Sequence, residues 1–104
     1  MRVFVINPTL KTVRAIDILG SLDDVRALIG FDSIDSDEID NNGDRLFFDE
    51  SCFIRPQDDV GRFKVDSLAP VAGIGVVANS RDEANSIQAP EVTLQELMKR
   101  ITFI

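Results

Sequence analysis

A chain of 104 residues with 44% hydrophobic side chains can bury one modest core and is too apolar for a disordered acidic tail, so a single folded domain over 1–104 is expected. Eighteen acids against eleven Lys and Arg leave a net charge of −7, the wrong sign for direct binding to DNA or RNA. With no histidine and the lone Cys52, the chain cannot build a His-dependent triad or an internal disulfide, and it lacks the commonest ligand of zinc and copper.

The first element, Arg2 to Asn7, alternates Val3 and Val5 with Phe4 and Ile6, which is the pattern of a strand buried on both faces. It starts with no basic segment and apolar stretch of a leader, and the longest nearly apolar run, Leu68 to Ala78, falls far short of the ~20 residues that span a bilayer. A cytoplasmic protein without membrane contact is the expectation. Pro8 opens a turn, and Lys11 to Ile18 reads as the return strand of a hairpin. Next comes a punctuated helix: Ser21 as N-cap, Asp23 and Asp24 at the positive end of the dipole, a stripe of Leu22, Val25, Leu28 and Ile29, and Gly30 as C-cap.

From Asp32 to Glu50 the character changes. This segment holds eight acids, Asp32, Asp35, Asp37, Glu38, Asp40, Asp44, Asp49 and Glu50, against Arg45 alone, whereas the rest of the chain has ten acids and ten bases. The long-range field therefore comes from here, and it would speed encounter with a basic surface. Asn41 to Asp44 is a turn signal between two extended runs, so the acids flank a β-hairpin. In its first arm the sizeable apolar residues, Ile34 and Ile39, are five apart and out of step with alternation, which points to a weakly held edge strand where a bulge would absorb the mismatch.

Two further strands are expected over Gly61 to Leu68 and over Ala69 to Asn79. The polar stretch Asn79 to Pro90 reads as a loop or a short helical turn and is an alternative contact site. The closing run has a capping box, Thr93 with Glu96, and a stripe of Leu94, Leu97, Met98 and Ile101 that would close over the sheet. The fold class is thus α+β: a mostly antiparallel sheet, one helix after the second strand and one at the C-terminus.

Two motif matches are weak. Aligning Gly43 with the sixth place of a calcium loop puts Glu38, Asp40, Asn42, Asp44 and Asp49 at ligand positions, but the first and twelfth residues are wrong and the flanks read as strands. Gly73 to Ala78 fits the dinucleotide pattern letter for letter, yet its glycines lie inside a strand, where small residues under a packed helix are the plainer reading. No cofactor or metal is expected.

In order and spacing, "VFVINP", "LDDVRALIG", the acidic hairpin running into "LFFDES" and "PVAGIGVVAN" resemble the family catalogued as domain of unknown function three-eight-four-six, over about residues 1 to 80. The resemblance implies a small protein of a phage, plasmid or other bacterial mobile element, and it implies no mechanism.

Three readings of the acidic hairpin compete. Charges on an edge strand keep copies from docking edge to edge and keep the protein soluble. Alternatively Asp32, Asp35, Asp37, Glu38, Asp40 and Asp44 form a face that engages a basic, nucleic-acid-binding groove of a host protein. The third reading is carboxylate chemistry or metal binding, best served by Asp49 and Glu50, which as strand neighbours point apart. The expectation is a non-enzymatic accessory protein that acts by binding another protein.

Overall fold

The computed structural model describes residues 1–54, 60–81 and 86–104. The elements run β1 (Arg2–Asn7), β2 (Thr12–Asp17), α1 (Leu22–Ile29), β3 (Ile34–Glu38), β4 (Asp44–Asp49), β5 (Arg62–Val65), β6 (Val71–Ala72), β7 (Gly75–Asn79), α2 (Leu94–Arg100) and β8 (Ile101–Phe103). They form a five-stranded sheet in the order β2-β1-β7-β4-β3 and a three-stranded sheet in the order β6-β5-β8, antiparallel at every pairing. The expected α+β class, with a helix after the second strand and another near the C-terminus, is what the chain adopts.

Strand alternation divides the large sheet into two buried faces. Phe4, Ile6, Leu46, Phe48 and Val77 pack against Phe63, Val65, Val71 and Ala72 of the small sheet and against Leu97 of α2. Val3, Phe47, Val76 and Ala78 face the other way and pack against Val25 and Ile29 of α1. Ile34 and Ile39 fall on opposite sides of this division, each partly buried in a different cluster. That corrects the expected bulge: the β3–β4 register runs unbroken from Ile34↔Asp49 to Glu38↔Arg45, and the two isoleucines are out of step because they serve different cores.

The run Ala69 to Asn79 is not one strand. Gly73 takes φ +84, a left-handed conformation that side chains disfavour, and there the chain leaves β6 in the small sheet for β7 at the centre of the large one. At Gly75 a Cβ would stand 2.5 Å from Phe63 Cζ and 3.0 Å from Leu46 Cδ1, so the small residue admits the Phe63 ring of the second sheet and not, as expected, a helix. The closing helix also ends earlier than its stripe suggests. Ile101, at φ −94 and ψ 132, already belongs to β8, which pairs with β5, and Met98 is 54% exposed. Thr93 accepts from the Glu96 amide as an N-cap should.

The first helix begins on a full capping box. Ser21 Oγ accepts from Asp24 N at 3.2 Å, and Asp24 Oδ2 accepts from the amides of Ser21 at 3.2 Å and Gly20 at 3.0 Å. These amides, Ser21 first, hold the Asp24 carboxyl below its usual value of 3.8. A carboxyl lowered in the folded state stabilises the fold above its unfolded value, and the gain disappears as pH falls through the lower folded value. Urea titrations of wild type and Asp24→Asn, run from neutral to acid pH, should therefore show a stability gap at neutral pH that closes below the ordinary carboxylate range.

Candidate functional site

The acids of residues 32–50 do not form one surface. Asp44 is wholly buried, in step with Leu46 and Phe48 on the core face of β4. Its carboxylate accepts from Asn79 Nδ2, from Glu91 N and from Val92 N, each at 2.9 Å. Asn79 Nδ2 also donates to the carbonyl of Asn42 at 3.1 Å, and Arg81 Nε donates to that same oxygen at 2.9 Å. One carboxylate thus ties the hairpin turn to the central strand and to the segment that leads into α2. Placed there, Asp44 cannot meet a partner, which removes it from the proposed face. Asp49 is also buried, and its carboxylate accepts from Ser51 N at 3.1 Å.

Two further acids are paired within the chain. Arg100, at the end of α2, donates to Asp66 Oδ2 at 2.6 Å, to both oxygens of Asp40 at 2.9 and 3.1 Å, and to the carbonyl of Ile39 at 3.0 Å. The Asp66 and Asp40 carboxylates raise the guanidinium pKa above its already high ordinary value, so Arg100 is a fixed positive charge. Arg45 reaches across the β3–β4 pair to Glu38 at 3.3 Å and to Ser36 Oγ at 2.8 Å.

Asp32, Asp35, Asp37 and Glu50 remain, and among the described residues none of them makes an ion pair. Asp35 and Asp37 lie on β3, the outermost strand, opposite Phe48 and Leu46. Alternation puts these two side chains about 6.6 Å apart on one face. Glu38 points to the other face.

The backbone of this edge is blunted by its own side chains. Ile39 N donates to Asp44 O and Glu50 N to Ser33 O, each at 3.0 Å, so the alternation of an antiparallel ladder turns Ser36 outward. Its N–H donates to Asp35 Oδ1 at 2.8 Å, and its carbonyl accepts from Arg45 Nη2 at 3.2 Å. An incoming strand finds both groups of Ser36 occupied, whereas the outward groups of Ile34 and Glu38 on either side have no such cap among the described residues.

Among the described residues the carboxylates singled out for other chemistries are not brought together. Among the described residues no group of three His, Cys, Asp or Glu side chains is placed to hold a metal ion. In the calcium-loop alignment Asp44 is engaged by three N–H groups and Asp40 by Arg100. Asp49 and Glu50 diverge into the core and into solvent. Cys52 is buried and free, and burial raises its thiol pKa, which suits a packed side chain better than a nucleophile. The stretch from Asn79 is anchored by paired bonds between Asn79 and Gln88, while residues 82–85 lie outside the described residues.

The fold is that of an antiparallel α+β domain with two sheets, and among its described residues no helix is long and apolar enough to cross a membrane. Compared with family models, curated proteins and solved structures, the chain finds no match.

Proposed function

We propose that this chain is a non-enzymatic, cytoplasmic accessory protein that binds another protein through the acidic margin of β3, with Asp32, Asp35 and Asp37 as its contact residues. The observation that carries the reading is the separation of the acids: Asp40 and Glu38 are paired and Asp44 is buried, while Asp35 and Asp37 stand unpaired on the outermost strand. Unpaired carboxylates at this spacing fit a basic groove that otherwise takes nucleic-acid phosphates, and such a groove gains speed of encounter from a protein of net charge −7. The setting implied by the family resemblance, a mobile element in a bacterial host, makes a host nucleic-acid-binding protein the natural target.

The occupied Ser36 backbone interrupts strand addition at the middle of β3 and favours recognition by side chains. It also favours a second reading, in which the carboxylates and the capped backbone only guard an edge. A pull-down from bacterial lysate separates the two, using wild type and the double reversal Asp35→Lys with Asp37→Lys. The expected result is a partner held by wild type, released by salt or by added DNA, and lost from the reversal while its melting temperature stays the same. Identical capture by both proteins, or none by either, would leave only edge protection.

A further inference from the structure

The opposite margin of the large sheet is finished differently. Met1 and Ile18 exchange both backbone bonds at 2.7 Å, so the β1–β2 register turns Thr12, Arg14 and Ile16 toward β1 and turns the N–H and C=O groups of Val13, Ala15 and Asp17 outward. Among the described residues none of these outward groups has a hydrogen-bond partner. No side chain caps them as Asp35 and Arg45 cap Ser36. Apolar side chains surround this open edge: Leu19 is 97% exposed, Leu10 66% and Met98 54%. A groove of about 450 Å³ lies along it, lined by Lys11, Thr12, Val13, Arg14, Met98 and Phe103.

We infer that β2 is where two copies of this chain join, edge to edge about a two-fold axis, so that their large sheets become one continuous antiparallel sheet. The inference is independent of the acidic margin. Strand β2 is complementary to itself. With Ala15 facing Ala15 of the second copy, Val13 comes opposite Asp17 and Arg14 opposite Ile16, and every outward N–H meets an outward C=O. In that register the exposed Leu19 just past the end of β2 comes beside the turn at Lys11 of the other copy, next to its groove. Asp17 at one end of β2 comes near the turn that holds Lys11 of the other copy, and among the described residues neither is ion-paired. Small, uncharged Ala15 leaves its own face of the axis unobstructed; on the other face Arg14 lies diagonal to its counterpart, two like charges that the exposed side chains keep apart by extending into solvent.

The charge distribution permits this. Asp35 and Asp37 belong to β3, four strand positions from β2, which is about 19 Å at the usual spacing. Across the junction the two acidic margins stand about 43 Å apart, several times the screening length of about 8 Å at physiological salt. The copies meet at the edges farthest from their common charge.

Sedimentation equilibrium over a wide range of concentration tests the inference, with the reversal Asp35→Lys/Asp37→Lys alongside. Wild type and that reversal should both approach twice the 11.5 kDa of one chain. Ala15→Pro removes an outward N–H that the β1–β2 ladder does not use, and Ala15→Lys sets two ammonium groups against each other at the axis. Both variants should halve the mass and keep the far-UV circular dichroism of wild type. Hydrogen exchange should show the Val13, Ala15 and Asp17 amides protected in wild type at high concentration and unprotected in Ala15→Lys. A wild type that stays at one chain's mass, a dimer that survives both Ala15 variants, or open exchange at these amides in an associated wild type would each overturn it.

Discussion

Asp44→Ala is expected to lower folding stability by roughly 3–5 kcal/mol, because it strands three N–H donors in or beside the core and leaves a void at a wholly buried position. Asp44→Asn is the informative companion. Its oxygen can keep the Oδ1 bonds to Asn79 Nδ2 and Glu91 N, but its NH2 then faces the amide of Val92, so the loss should be roughly 1–3 kcal/mol. Urea unfolding at neutral pH measures both. An alanine variant that loses under about 1 kcal/mol would mean that water replaces the carboxylate and that Asp44 does not bind the hairpin turn to the rest of the fold.

Phe63→Ala is expected to cost a similar amount, about 3–5 kcal/mol. Phe63 has no exposed surface and carries the small sheet into the large one at the point where Gly75 leaves room for its ring. The contact can be tested from both sides. Gly75→Ala should cost roughly 1–3 kcal/mol, since the new methyl group meets Phe63 Cζ. In a Phe63→Leu background the same change should cost less, with a coupling of roughly 0.5–3 kcal/mol in the double-mutant cycle. Additive losses would move the strain from Phe63 to Leu46, the other atom pair in close approach.

Where sequence signals are local, they locate the structure well. Ser21, Asp24 and Gly30 mark both ends of α1 within a single turn, and the Asn41–Asp44 turn places the β3–β4 hairpin. What sequence reading missed depends on partners far along the chain. Asp44 reads as one more acid in a cluster because Asn79, Glu91 and Val92 are 35, 47 and 48 residues away. Its only local sign is that it keeps step with Leu46 and Phe48. Asp40 looks unpaired until Arg100 arrives from 60 residues off. The sheet change at Gly73 is hidden because both halves of the run are apolar, and periodicity does not say which sheet a strand joins. Ile101 keeps helical spacing with Leu94 and Leu97 yet packs as the start of β8, so the stripe overstates the helix. Of the candidate face, Asp32, Asp35 and Asp37 stay unpaired on the margin, Glu38 and Asp40 are paired, and Asp44 is interior.

The place of β7 governs the order in which the molecule can assemble. Strands β1 and β4 touch no neighbour in common except β7, and β7 is made of residues 75–79. A growing chain that has not reached them holds two separate hairpins, each marginal alone, with the inner margins of β1 and β4 bare and apolar. Insertion of β7 between them must close pairings such as Phe4↔Val77, across nearly the whole length synthesised so far. Assembly of the large sheet is therefore a late, long-range event, and a ribosome that pauses before residue 75 leaves the chain at its most vulnerable to aggregation.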